Sequence, residues 1–149
     1  MSNDTPKLLL VDDDEKFRAK VGDALKAKGM DVSHAISGID ALDQVGTRPF
    51  SVVLMDINMP GLDGLETLRE IKARNIGVEV ILFTAHGTIE TAIEGMRQGA
   101  FDYLLKPNEI DVIEGKIREA HAVKAARDER LRKAQERALL DKLEKSVRF

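Results

Sequence analysis

The chain has 149 residues, of which 43% are hydrophobic, 33% charged and 4% aromatic, enough for one domain around a single core. It contains no cysteine, which excludes disulfides and thiolate metal sites, and no apolar run approaches the roughly 18 residues of a membrane span. The net charge of −3 divides unevenly: Met1–Val123 holds 14 Lys/Arg against 21 Asp/Glu, and Lys124–Phe149 holds 9 against 5, an acidic body with a basic tail and no general pull toward nucleic acid.

The opening MSNDTPK lacks the basic-then-apolar pattern of a signal peptide, so the expected location is the cytoplasm. Lys7–Val11, KLLLV, reads as a buried strand that runs straight into Asp12, Asp13 and Asp14. A helix follows from about Glu15 to Lys28, with Asp14 and Glu15 at its positive end and Gly29 as its stop. Asp31–Ala35, DVSHA, is a weaker, half-exposed strand before the helical GIDALDQV. Ser51–Met55, SVVLM, ends on Asp56, and Pro60, Gly61 and Gly64 shape the turn into the amphipathic LETLREIKARN. Val78–Thr84, VEVILFT, precedes TIETAIEGMRQG. Phe101–Leu105, FDYLL, then passes through Lys106, Pro107 and Asn108 into a long final helix. Asn108 is the expected N-cap of that helix, with Glu109 and Asp111 in its first turn. Ile110, Ile113, Ile117 and Ala120 are spaced to pack on a sheet. Beyond Val123 the apolar spacing thins, interrupted by Lys124 and Arg127, which favours a solvated helical extension over a coiled coil.

Five strand–helix units with near-continuous apolar strands predict an α/β fold: a doubly wound parallel sheet covered by helices on both faces. Such sheets bind ligands outside the carboxyl ends of their strands. The polar residues collect there, with Asp12, Asp13 and Asp14 after the first strand, Asp56 after the third, Thr84 ending the fourth and Lys106 after the fifth. Clustered carboxylates raise one another's pKa unless a cation neutralises them, and hard oxygen donors without His or Cys point to Mg²⁺. Lys106 adds a mobile positive charge suited to an acyl phosphate or carboxylate, and Thr84 a hydroxyl for a phosphoryl oxygen. An ionised Asp can form an aspartyl phosphate as a nucleophile, and Asp56, alone at the tip of its strand, is the candidate. The glycine loops that cradle nucleotide phosphates and the GxSxG nucleophile elbow are absent.

These residues lie in LLLVDDDE, VVLMDINMPGLDG, VILFTAHG and GAFDYLLKP. Through them the chain resembles the CheY-like receiver domains of two-component response regulators, from about Lys7 to Ala120. TAHGTIETAIEGMRQGAFDYLLKP is similar to the receivers of NtrC-type regulators. The resemblance implies a five-stranded flavodoxin/CheY-like sheet of order 2-1-3-4-5, a receiver domain over 1–123 and a charged helical extension over 124–149. It implies Asp56 as phosphoacceptor and Mg²⁺ held by Asp12, Asp13, Asp56 and the backbone carbonyl of Asn58, Asp13 directly and Asp12 partly through water. Thr84 and Lys106 would contact the phosphoryl group, the Lys106–Pro107 bond would be cis, and Tyr103 would turn inward as Thr84 moves. Asn58 and His86, two residues beyond Asp56 and Thr84, stand where this family tunes the lifetime of the phosphoryl group.

The implied donor is a sensor histidine kinase or phosphotransfer protein. The implied output is contact with a downstream protein at the face of the fourth helix, fifth strand and fifth helix. A homodimer through that face or through the C-terminal helix fits the same picture; membrane contact and direct DNA binding are not expected. Catalysis beyond the chain's own phosphorylation and dephosphorylation is not expected either. An aspartate-nucleophile phosphatase shares the inventory but needs an acid two residues after its nucleophile, where this chain has Asn58. A receiver module of a larger NtrC-type transcriptional regulator is the other alternative. His34, His86 and His121 are scattered over different elements and are read as no ligand, and Met55, Met59 and Met96 are read as packing or loop residues.

Overall fold

Alternation along the apolar runs decides the layers. Successive side chains on a strand point to opposite faces, and all of Leu8 to Val11, Val52 to Met55 and Val80 to Phe83 are buried, so both faces must be covered. The computed structural model describes residues 4–147; residues 1–3 and 148–149, the outer limits of the expected domain and tail, lie outside the described residues. The strands are β1 (Lys7–Val11), β2 (Asp31–Ala35), β3 (Val52–Met55), β4 (Glu79–Thr84) and β5 (Asp102–Leu105). They alternate with the helices α1 (Glu15–Ala27), α2 (Gly38–Thr47), α3 (Gly64–Ala73), α4 (Ile89–Arg97) and α5 (Ile110–Ser146). The sheet order is β2-β1-β3-β4-β5, with every neighbouring pair parallel, the doubly wound order expected from the resemblance.

One face of the sheet sets Leu9, Val11, Val53, Met55, Val80 and Leu82 against Leu42 and Val45 of α2 and Leu68 and Ile71 of α3. The other sets Leu8, Leu10, Val52, Leu54, Ile81 and Phe83 against Leu25 of α1 and Ile113 and Ile117 of α5. Each fully buried aliphatic side chain contributes about 1.5–3 kcal/mol relative to exposure, so the strands are anchored from both sides and their carboxyl ends are held in a rigid row.

The helix starts are capped as their sequences suggest. Asp14 caps α1, accepting from the Phe17 N–H at 3.2 Å, and Gly29 follows the helix with φ +91°. Ser37 caps α2, and Asp63 with Glu66 forms a capping box on α3. The start of α5 differs from expectation. Glu109, not Asn108, occupies the N-cap position and makes no side-chain cap bond. The Asn108 carboxamide oxygen accepts from the next residue's N–H at 3.0 Å, which turns it away from the first-turn amides a cap must reach.

Ile113, Ile117 and Ala120 are buried as their spacing predicts, and α5 then continues unbroken to Ser146. Leu131, Leu139, Leu140 and Leu143 are more than half exposed, consistent with a solvated extension. Arg127, which interrupts the apolar spacing, has a structural task of its own: its Nη1 lies 2.6 Å from Oε2 of Glu79, the buried first residue of β4. The extension is thereby tied to the amino end of the sheet before it runs free.

Candidate functional site

The register of the sheet assembles the site. Val11 pairs with Met55 across β1 and β3, so Asp12 and Asp56 leave neighbouring strands side by side. The Asp56 N–H still donates to the Val11 carbonyl at 3.0 Å, and the Asp12 N–H to the Ala35 carbonyl at 3.2 Å. At the other side, the Lys106 N–H donates to the Thr84 carbonyl at 2.8 Å, which sets the lysine beside the end of β4. The Lys106–Pro107 bond is cis. Gly64, the first residue of α3, packs on the backbone of Asp56: a Cβ there would fall 2.4 Å from the Asp56 carbonyl oxygen, so any larger residue would displace that strand end.

One carboxylate oxygen from each of Asp12, Asp13 and Asp56 lies within 4.8 Å of the others. Asp12 is 1% exposed; its Oδ1 accepts from the Asp14 N–H at 2.9 Å and its Oδ2 from Lys106 Nζ at 2.6 Å. Lys106 Nζ also stands 3.6 Å from Asp56 Oδ2. Burial pushes the Asp12 carboxyl above its ordinary range, with the like charge of Asp56 adding to the rise and Lys106 and the Asp14 N–H opposing it. Asp13 is exposed. Three carboxylates against one ammonium leave the pocket under-neutralised. Their oxygens are hard donors, and opposite ligands of an octahedral Mg²⁺ stand about 4.2 Å apart. The donor set therefore fits a small hard divalent cation.

Thr84 is fully buried at the end of β4. Its Oγ1 accepts from Asn58 Nδ2 at 2.9 Å and from the His86 N–H at 3.3 Å. With both donors on its oxygen, its own proton remains to be donated. Asn58 is held in turn, its N–H donating to Asp56 Oδ1 at 3.2 Å. The half-buried Tyr103 does something else: its hydroxyl lies 2.8 Å from Oγ1 of Thr91, a member of the Thr88–Thr91 capping box that starts α4. A Cβ on Gly87 would come within 2.5 Å of that hydroxyl, so glycine provides the room in which the ring sits.

Of the residues singled out in the sequence, Asp12, Asp13, Asp56 and Lys106 converge, and Asn58 ties Thr84 to Asp56. Tyr103 is engaged with α4 instead of the acids. Asp14 caps a helix, as its place in the sequence suggested. Two aromatic residues escaped sequence reasoning: Phe17 and Phe83, whose rings lie 3.9 and 5.8 Å from Lys106 Nζ. Their positions, in the first turn after the acid run and next to Thr84, were the available signal.

A family model described as the response regulator receiver domain matches residues 8–118. The transcriptional regulatory protein ZraR of Escherichia coli is 40% identical over 122 residues, covering 82% of this chain and 28% of ZraR. The DNA-binding transcriptional regulator NtrC of Klebsiella pneumoniae is 43% identical over 102 residues, covering 68% of this chain and 22% of NtrC. The chain thus spans between a fifth and a third of the length of these relatives. Among solved structures, the Francisella response regulator 1452 receiver domain superimposes with a TM-score of 0.75 at 33% identity, covering 79% of this chain and 98% of that one.

Proposed function

The chain belongs to the response regulator receiver domain family of two-component signalling, and from that premise we propose that Asp56 is its phosphoacceptor. The observation that carries this reading is the placement of the Asp56 carboxylate at a buried strand end, 11% exposed and 3.6 Å from Lys106 Nζ, inside a cluster of acids that fits a divalent cation. Asp12, Asp13, Asp56 and the Asn58 backbone carbonyl would hold Mg²⁺, which when bound neutralises charge on the phosphoryl oxygens.

An Asp56 carboxylate oxygen attacks phosphorus as the bond from phosphorus to the donor atom breaks, and the donor departs with that electron pair. Lys106 then exchanges a carboxylate partner for a phosphoryl oxygen. Thr84 donates the proton that its two incoming hydrogen bonds leave free. To reach the new acceptor Thr84 must loosen from Asn58 and His86. The rearrangement is read out at the surface of α4, β5 and α5 through Tyr103 and its Thr91 contact. The donor is a sensor histidine kinase or a phosphotransfer protein, the setting is the cytoplasm, and the output is a phosphorylation-dependent contact with another protein or protein segment. Residues 1–123 act as the receiver and 124–149 as a charged helical extension; a homodimer through the α4–β5–α5 face or the C-terminal helix would belong to the output.

Incubation with Mg²⁺ and acetyl phosphate, followed by intact-mass measurement, tests the central step: the chain gains one phosphoryl group, and Asp56→Asn gains none. Equal gain in the variant would sink the reading. With beryllofluoride as phosphoryl mimic, amide resonances at Thr84 and Tyr103 shift; unshifted resonances would remove the switch.

A further inference from the structure

Lys106 is held from three sides, and only two of them are carboxylates. Its Nζ lies 2.6 Å from Asp12 Oδ2 and 3.6 Å from Asp56 Oδ2. The third side is the face of Phe17, whose ring centroid is 3.9 Å away. Phe83 stands behind it, 5.8 Å from Nζ and 5.6 Å from the Phe17 ring, with the two rings tilted by 59°. A cation within about 6 Å of an aromatic centroid is attracted by the ring quadrupole, more strongly where water is excluded. Here the Lys106 side chain is only 15% exposed.

The platform is fixed by the same turn that fixes the acids. Phe17 is the third residue of α1, and its N–H donates to the Asp14 carboxylate, while the Asp14 N–H donates to Asp12 Oδ1. Phe83 immediately precedes Thr84 and is 2% exposed. A tilted pair at this separation is a favoured aromatic geometry, so neither ring is a loose neighbour. A ring also restrains an ammonium without competing for it. It carries no titrating charge and leaves the N–H donors free for oxygens. The Asp12 carboxylate, in contrast, has other claimants: the Asp14 N–H and the candidate cation.

We propose that Phe17, backed by Phe83, is a positioning residue for Lys106: an aromatic face that keeps the ammonium in reach of both Asp12 and Asp56 and along which it passes to a phosphoryl oxygen without re-entering water. The proposal rests on the phosphoacceptor reading of Asp56. Phe17 is the testable half, because Phe83 is a core residue. The experiment uses the full chain with Phe17→Leu, Phe17→Tyr, Lys106→Met and the Phe17→Leu/Lys106→Met double variant, with thermal melts to verify folding and Phe17→Met in reserve should Leu unfold.

Phe17→Leu takes the phosphoryl group from acetyl phosphate and Mg²⁺ roughly 3- to 10-fold more slowly, as expected for one shielded cation–π contact. Phe17→Tyr stays within about twofold of wild type, and in the Lys106→Met background Phe17→Leu slows nothing further. An equal slowing with and without the lysine, or a Tyr variant as slow as Leu, overturns the proposal in favour of a packing role. A second arm needs no phosphoryl chemistry. With the ammonium over the ring face, the adjacent Lys106 ε-methylene protons resonate upfield in wild type and return to ordinary shifts in Phe17→Leu. Ordinary shifts in wild type overturn the platform even if Asp56 is phosphorylated. An upfield shift in a chain that gains no phosphoryl group overturns the phosphoacceptor reading and leaves the platform standing.

Discussion

The two ends of the sheet handle buried charge in opposite ways. At the amino end of β4, Glu79 is 7% exposed and is matched by one partner, Arg127 of α5, at 2.6 Å. At the carboxyl ends, oxygens of Asp12, Asp13 and Asp56 lie within 4.8 Å of one another, and the ammonium of Lys106 reaches Asp12 and Asp56. A matched pair fixes geometry; an unmatched cluster of carboxylates stores affinity for a cation. The same strands thus carry a closed joint at one end and an open valence at the other. The polarity follows from the parallel topology, which sends every carboxyl end to the same edge.

The largest test of this contrast removes the open valence. Asp56→Asn abolishes phosphoryl gain from acetyl phosphate by intact mass while the melting transition persists, and excess EDTA on the wild type has the same effect on labelling. The next breaks the closed joint. Arg127→Met leaves Glu79 buried without its ion pair and lowers stability in urea by about 2 kcal/mol, below the 3–5 of fully buried pairs because Arg127 is partly exposed. The Glu79→Gln/Arg127→Met double variant recovers most of that loss. The phosphorylation rate stays at the wild-type level in Arg127→Met; a change there would show that the two ends are coupled.

A third test reverses the sign of the second. Burial raises the Asp12 pKa above 3.8, so the folded chain disfavours its charged form. The resulting penalty sets in as pH rises above the ordinary value of 3.8 and grows until the folded pKa is passed. In EDTA, Asp12→Asn therefore stabilises the fold at neutral pH by about 1 kcal/mol, in the manner of functional sites that trade stability for activity. The gain shrinks as pH falls toward the ordinary carboxylate range, and urea titrations at two pH values measure it. Loss of stability at neutral pH would mean that the Lys106 contact outweighs burial.

Much of this contrast was legible in the sequence, and the limits have physical causes. Apolar runs ending on Asp12, Asp56 and Thr84 placed the strands and their ligand edge, because burial on both faces leaves an unmistakable continuous pattern. The acids and Lys106 were legible as a set only because a parallel sheet collects strand ends. Asn108 misled because its amide can serve either a helix cap or the adjacent N–H, and spacing does not distinguish the two. Arg127 looked like an interruption, since a partner 48 residues away in sequence is fixed by the helix trajectory rather than by any local pattern. Phe17 carries no signal in the sequence beyond its place after the acid run, and its ring face became informative only once Lys106 stood over it.

The smallest expected effect lies between the two ends, at His34 on β2. Its Nδ1 is buried with no hydrogen-bond partner among the described residues, and its ring packs where a Cβ on Gly22 would come within 2.8 Å. Burial pushes its pKa below 6.5, and the positive charges of Arg18 and Lys26 push the same way against the weaker pull of Asp23. The folded chain therefore disfavours the imidazolium. The stability this group contributes is complete above pH 6.5 and is lost as pH falls from there through the lowered folded value. Urea midpoints between about pH 7 and pH 5 fall for the wild type, and His34→Gln flattens that fall without changing phosphorylation at neutral pH. If the slope survives the substitution, the acid sensitivity belongs to another titrating group and not to His34, whose buried Nδ1 has no hydrogen-bond partner among the described residues.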